Sequence, residues 1–260
     1  MSKISIYQHF REEERVFVDQ VLSWKEEVKD FYKERLTDFL NPREQEILAT
    51  IIGTDDELRL SFFGGRFEVE RKRALLTPVF IEHCEQDYDC VLFELNYPSK
   101  FVTLSHRDIL GSLMSVGLKR EKFGDILIMD NRIQLIVAKE TALYVESNVT
   151  SIGKATVSLE ALYFSEQMNA VETWRQQSGT VSSLRLDVIL AEIYRVSRSK
   201  LEPYFTKGYV KVNWKLIESG SFQVEAGDHF SVRGLGRSQL VSIEGKTKKD
   251  KVRILYQTKH

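Results

Sequence analysis

The sequence predicts an α+β protein in three parts. Residues 1–75 read as a helical N-terminal domain with a β-hairpin, 76–165 as a β-α-β-β-α-β middle domain, and 181–260 as a small α/β domain. Three observations predict this. Apolar residues near the start recur at helical spacing. The middle interleaves short apolar strand-like runs with helical ones. The last third has two short helical stretches followed by strands that alternate apolar and polar residues. At 260 residues the chain can hold two or three domains with proper cores, and its 42% hydrophobic content is ordinary for a globular protein. There is no run of 18 apolar residues, so no transmembrane helix is expected. Met1 to Phe10 lacks an apolar signal core, so a cytoplasmic location is expected.

Residues 8 to about 40 read as one long helix, because Phe17, Val21, Trp24, Val28 and Phe31 recur in steps of four, three, four and three. Glu12, Glu13 and Glu14 would complement the dipole at its start. Asn41 then caps a second helix, with Pro42 in the first position and Glu44 in the third. Ile47, Leu48, Ile51 and Ile52 form its apolar face, and Gly53 ends it. Residues 57 to 72 read as a hairpin: Leu58, Leu60 and Phe62 alternate with Arg59, Ser61 and Phe63, Gly64-Gly65 supplies a turn, and Phe67 and Val69 resume the alternation. Arg66, Arg71, Lys72 and Arg73 form a basic cluster there. It is either a charged strand edge that blocks aggregation or a second nucleic-acid contact.

In the middle domain Val91–Leu95 reads as a buried strand. Ser105 or Asp108 caps a helix through Ile109, Leu110, Leu113 and Met114. Ile126–Met129 and Ile133–Val137 read as an antiparallel pair joined at Asp130-Asn131, Thr141 opens a helix, and Thr156–Leu159 is the last strand. This is the split βαβ plan of many RNA-binding domains, although the aromatic pair that stacks bases in a typical RNA-recognition fold is absent from its strands. Cys84 and Cys90 read as free thiols; His83 beside Cys84 does not complete a four-ligand metal set, so neither metal nor cofactor is expected. Asp125 reads as a turn residue. The polar run Gln176–Thr180 marks a linker over 166–180.

In the last domain Leu186, Ile189, Leu190 and Ile193 share one helical face. A second helix starts at Ser197 or Ser199, with Ser199 and Glu202 as a capping box, Pro203 in the first turn and Gly208 past the end. A strand with Val210 and Val212 on one face puts Tyr209, Lys211 and Asn213 on the other. After a basic turn over 245–251, Val252, Ile254 and Tyr256 alternate as a final strand. From residue 180 onward there are 15 Lys and Arg against 8 Asp and Glu, a net of +7. The first 179 residues hold 22 against 30, a net of −8. The positive rim comprises Arg185, Arg195, Arg198 and Lys200 near the helix ends, Lys207, Lys211 and Lys215 on the next turn and strand, and Arg233 and Arg237 around a glycine loop. Ser197, Ser199 and Asn213 lie beside it, and Trp214 is placed to stack on a base. A merely solvated surface is the bland alternative, but lysines scattered at random do not cluster at one helix end and its adjoining strand.

The stretches Arg185-Leu186-Asp187, Leu190-Ala191, Ser197-Arg198-Ser199, Gly208, Val210-x-Val212-Asn213, Gly227-Asp228 and Val232-Arg233 resemble the RNA-binding domain first defined in small-subunit ribosomal protein S-four. Trp214, where that family usually has a small residue, and Pro203 depart from the pattern. Asp108–Leu113 and Gly117–Ile126, taken with this C-terminal domain, resemble the YlmH family over nearly the whole chain. The resemblance implies a helical N-terminal part with a β-hairpin, an RNA-recognition-like split βαβ middle domain and a C-terminal S-four-type RNA-binding domain. It further implies a non-enzymatic monomer that binds ribosomal RNA and tRNA on the large ribosomal subunit during ribosome-associated quality control, or a factor linked to cell division.

Because S-four-type domains are often attached to enzymes, an RNA-modifying enzyme is the alternative. Pseudouridine synthases carry a catalytic aspartate in an Arg-Leu-Asp motif, but Arg185-Leu186-Asp187 belongs here to the first helix of the binding module. A methyltransferase needs a cofactor-binding glycine turn between strand and helix, of which Gly234-Leu235-Gly236-Arg237 is only part. No Ser/His/Asp group or carboxylate pair stands out.

Overall fold

The computed structural model describes residues 7, 10, 12–53, 55–67, 69–169, 174–247 and 249–259, with the backbone alone at Glu13. Residues 8, 9 and 11 of the expected first helix, residues 170–173 of the expected linker, and Lys248 of the expected basic turn lie outside the described residues. The chain forms two compact units, Met1–Ala170 and Val171–His260.

In the first unit a 3₁₀ turn, Glu12–Glu14, leads into helix α1, Arg15–Phe31. Val18, Val21, Trp24 and Val28 are its buried face, while Phe31 is 74% exposed. The helix does not run to residue 40 as its spacing suggests. Tyr32 turns left-handed at φ 51°, and Arg35–Leu40 forms strand β1. Its partner lies more than thirty residues away in strand β3, Lys72–Pro78, where Leu36 faces Leu75 and Phe39 faces Arg73. The Thr37 hydroxyl also accepts the Ala74 N–H at 2.9 Å. Helix α2, Pro42–Ile52, starts at the expected Asn41 cap, which the structure completes as a capping box: the Asn41 side chain accepts the Glu44 N–H at 3.0 Å and the Glu44 carboxylate accepts the Asn41 N–H at 2.7 Å. Strand β2, Leu58–Phe63, completes a three-stranded sheet in the order β1-β3-β2.

The hairpin turn expected at Gly64-Gly65 is not formed. Phe63 pairs with Arg73, so residues 64–71 form a longer connection and β3 crosses the boundary expected at 75. The Asp125 carboxylate holds that connection by accepting the N–H groups of Glu70 at 2.5 Å and Arg71 at 3.2 Å. Asp125 is thus not a turn residue; it sits in a strand, and burial raises its carboxyl above the usual range despite those two donors.

The split βαβ order is observed: β4 (Cys90–Asn96), α3 (His106–Ser115), β5 (Phe123–Met129), β6 (Arg132–Ala138), α4 (Lys139–Asn148) and β9 (Ser158–Leu162). A small hairpin of β7 (Ser151–Ile152) and β8 (Ala155–Thr156) is inserted. The sheet runs β5-β6-β4-β9, antiparallel throughout. Ser105 caps α3 in a capping box with Asp108. Asp130 and Asn131, at φ 47° and 68°, make the two-residue turn between β5 and β6. Phe93, Leu95, Leu135 and Val137 face the helices. On the opposite face Leu92, Ile136 and Ala138 pack against Phe39 and Val69. Gly124 permits this approach, since a Cβ there would meet the Phe39 ring at 2.9 Å.

The second unit is a six-stranded sheet with helices α5 (Leu186–Tyr194) and α6 (Arg198–Thr206). Its strands are β10 (Trp174–Val181), β11 (Val210–Val212), β12 (Lys215–Leu216), β13 (His229–Val232), β14 (Gly236–Lys246) and β15 (Val252–Lys259), in the order β10-β15-β14-β13-β11-β12. Leu186, Ile189, Leu190 and Ile193 join Leu201, Phe205, Val210, Val212, Ile254 and Tyr256 in its core. The polar run expected as a linker is instead edge strand β10, paired from Trp174 to Val181 with β15.

The buried Leu190 has no contact with solvent, so Leu190→Ala should lower stability by roughly 2–5 kcal/mol in denaturant unfolding. Asp55 bonds Lys25 at 2.9 Å and Lys29 at 2.8 Å. Burial pushes its carboxyl up, but the hydrogen bonds from Lys29 and Lys25 outweigh this and bring it down to about 2. Its folded value lies below the ordinary one near 4, so its stabilising effect is complete above about pH 4 and is lost as the pH falls towards 2. Asp55→Asn should therefore be less stable at neutral pH and flatter over that acid window, measured by urea unfolding at several pH values.

Candidate nucleic-acid interface

The outward face of the second sheet is set by strand register. Val210 faces Val232 and Val212 faces Phe230, all buried, so Lys211 opposite Ser231 and Ser231 opposite Arg237 must point the other way. Lys211 and Arg237 therefore flank Ser231 on one face, two strands apart. Tyr209, one residue before β11, accepts the Arg233 N–H at 2.9 Å and continues the same row. The Arg233 guanidinium lies 4.9 Å from the centre of the Tyr209 ring.

The helical side of the rim is built differently. Ser197 is the N-cap residue of α6, and its hydroxyl bonds that of Ser199 at 3.0 Å rather than a helix N–H. The expected Ser199–Glu202 box is not formed, and Pro203 lies inside the helix rather than in its first turn. Arg198 donates to Asp187 at 3.0 and 2.5 Å, and Arg185 donates to the same carboxylate twice at 3.1 Å. Burial alone would raise the Asp187 carboxyl, but these two guanidinium partners hold it below the usual range. Two rim arginines thus share one carboxylate. Arg195 is at the left-handed end of α5, φ 55°, and donates to Glu192 at 2.7 Å and to the Tyr256 hydroxyl at 3.3 Å. Lys200 and Lys207 are exposed; Lys215 is half-buried.

Asn213 and Trp214 form the turn between β11 and β12, at φ 47° and 64°. Asn213 is occupied by that turn: its side chain donates to Asp228 at 2.8 Å and accepts the His229 N–H at 2.9 Å. Trp214 is half-buried, with its ring centre 5.6 Å from that of His229, which also meets Trp174 at 6.3 Å. The sequence reading missed this aromatic group, because Trp174 of β10, Trp214 of the β11–β12 turn and His229 of β13 meet only through the fold. It also missed Tyr204 and the role of Asp187, although the alternation around Val210 did place Tyr209 beside Lys211.

The second basic cluster separates. Arg66 is exposed and 3.6 Å from Glu85, and Lys72 is half-buried. Arg71 and Arg73 turn inward. The Arg71 guanidinium donates to the carbonyls of Phe39 at 2.6 Å and Phe123 at 3.2 Å, and burial lowers its pKa. Arg73 is 5% exposed and donates to the carbonyls of Thr37 at 2.7 Å and Asp89 at 2.9 Å and to Glu140 at 3.2 Å. As a surface contact for RNA, both are corrected: their charge is engaged inside the fold. Among the described residues no group of His, Cys, Asp and Glu could hold a metal ion, and no helix is long and apolar enough to cross a membrane. Cys84 and Cys90 are free, and burial pushes the Cys90 thiol up to about 12.

Residues 84–166 match the family described as "Putative RNA-binding domain in YlmH". The chain is 48% identical over 252 residues to the ribosome-associated protein quality control protein P2 of Bacillus subtilis, covering 97% of this chain and 98% of that protein. It also resembles the solved structure of the cell division protein ylmH from Streptococcus pneumoniae, with 34% identity and a TM-score of 0.55, over 63% of this chain and 99% of that one.

Surface and interior cations should respond oppositely to truncation. Lys200→Ala and Lys211→Ala should each weaken RNA binding while costing at most about 1 kcal/mol of stability, as exposed groups do. Arg73→Ala should leave RNA affinity in place at low temperature but cost several kcal/mol, since it strips the buried partners of their donor. Filter binding and thermal melts on the same variants check both halves.

Proposed function

Because this chain belongs to the YlmH family, we propose that it is a non-catalytic, cytoplasmic RNA-binding protein of ribosome-associated quality control, which binds ribosomal RNA and tRNA on the large ribosomal subunit through an S-four-type C-terminal domain. The observation that carries this reading is the row Tyr209, Lys211, Ser231 and Arg233, with Arg237 in register, on one outward sheet face, and the exposed Lys207 lining a pocket with Tyr209 and Arg233. Such a surface suits phosphates held at fixed spacing by a folded RNA, because its cations come from rigid strands rather than from flexible tails. The charge asymmetry acts in the same direction: +7 from residue 180 onward attracts RNA, while −8 over the first 179 residues discourages indiscriminate binding by the rest of the chain. The Bacillus subtilis relative is named for ribosome-associated quality control, which supports this setting. The Streptococcus pneumoniae relative is titled a cell division protein, and a division-linked role is the second reading.

Sucrose-gradient fractionation tests the partner. The protein should migrate with free large subunits, more strongly when they retain peptidyl-tRNA, and a Lys200→Ala, Lys211→Ala double variant should shift to the top fractions. Co-migration only with small subunits would overturn the large-subunit assignment. If the rim neutralises ~6 phosphates, affinity for structured RNA should drop by about 10³ between 50 and 200 mM salt; a flat titration would remove the electrostatic basis of the proposal.

A further inference from the structure

We propose that the notch between the end of α6 and the start of β11 stacks a single unpaired nucleobase of the bound RNA, using the Arg233–Tyr209 pair as its platform. This deepens the RNA-binding reading above and rests on it.

Pro203, Tyr204, Lys207, Tyr209 and Arg233 line one open pocket. Gly208, at φ 65°, reverses the chain there, so two tyrosines five residues apart become neighbours. The Tyr209 N–H donates to the Tyr204 carbonyl at 2.8 Å, and the two rings meet edge to face with centres 6.2 Å apart. The guanidinium of Arg233 sits over the Tyr209 ring, and its backbone is pinned by the bond to the Tyr209 carbonyl. The platform is therefore built before any ligand arrives.

Freedom from carboxylate partners sets this pair apart from three other arginines of the rim. Arg185 and Arg198 share Asp187, and Arg195 holds Glu192. Among the described residues neither Arg233 nor Lys207 is paired with a carboxylate, and both are exposed. A guanidinium lying over one ring can still meet a second flat group, and it is weakly hydrated enough to stack. Lys207 at the edge supplies a charge for the phosphate of the same nucleotide. A flat π-system carrying a phosphate is the chemistry that matches all of these groups. An open notch with so few contacts holds such a group firmly only when the rest of the RNA lies on the neighbouring rim, so the nucleotide is one extruded from a folded RNA rather than a free one.

The test uses the full-length protein and two hairpin RNAs that differ only by one extruded adenosine, with adenosine monophosphate as competitor. The wild-type protein should bind the bulged hairpin roughly tenfold more tightly than the paired one. That ratio should fall to near one in Tyr209→Leu and in Arg233→Lys, which keeps the charge but loses the plane, and should persist in Tyr209→Phe. Circular dichroism melts establish that each variant is folded. A wild-type ratio near one with salt-dependent binding intact would overturn the stacking site and leave the RNA-binding reading standing. An undiminished ratio in Tyr209→Leu and Arg233→Lys would do the same. Loss of the ratio at low millimolar adenosine monophosphate would reassign the notch to free nucleotides. Absence of binding to either hairpin would remove both proposals together.

Discussion

The arrangement of the first unit depends on where the Arg73 guanidinium finds its acceptors. It lies almost wholly out of solvent and is met by a carbonyl from β1, a carbonyl just ahead of β4 and a carboxylate at the start of α4. A buried guanidinium stripped of such partners is costly by several kcal/mol, so these three segments must converge on it. Convergence brings β1 over the split βαβ sheet, where Phe39 and Val69 seat on Leu92 and Ile136. Lys122 reinforces the same junction by bonding both Asp38 and Glu140. Arg71 and Asp125 complete it from the side, each satisfied by backbone groups of the facing segment.

Burial therefore decides what a basic residue does in this protein. Four cations within eight residues, Arg66 to Arg73, look from the sequence like a phosphate-binding strip. Two of them serve instead as internal donors that close a sheet face. In the second unit the same residue types, placed on the outward side of β11, β13 and β14, stay at the surface because the alternate positions are the ones that fill the core. Asp187 is intermediate: it is nearly buried, and its two guanidinium partners keep it ionised while fixing the relative placement of the starts of α5 and α6.

What could be read from the sequence follows from how local its cause is. The Asn41 cap, the choice of Ser105 over Asp108 as the next cap, the Asp130-Asn131 turn and the apolar face around Leu190 are settled by residues within a few positions of one another, and each formed at an expected place. Strands β1 and β10 were missed because their stabilising partners are remote: β1 meets β3, and Gln177 meets Tyr256. An edge strand with polar side chains has little periodicity of its own, so Gln176–Thr180 looks like a linker until β15 is beside it. The site divides the same way. The sequence could locate the basic rim and the outward alternation of Tyr209 and Lys211, but the sharing of Asp187, the capture of Asn213 by its own turn and the stacking of Arg233 on Tyr209 depend on pairings made only by the fold.

The family-matched segment 84–166 has the topology of an RNA-recognition fold but a different use of its sheet. That fold normally presents aromatic side chains on the two central strands to stack bases. Here the central strands are β4 and β6. Their outer positions are Leu92, Glu94, Gln134 and Ile136; Phe93 points to the helices, and the outer face is covered by Phe39, Val69 and Phe164. Gln134 is fully buried, and its amide is spent on Glu94, the Glu166 carbonyl and the Met168 N–H. Opening that face would uncover aliphatic side chains and one buried amide, not a stacking platform. The segment also holds 8 Lys and Arg against 12 Asp and Glu, so its long-range field opposes phosphate. Any RNA contact it makes must come from its loops and helices. Net positive charge is found instead in residues 180–260, where basic side chains of the outward sheet face stay outside the core.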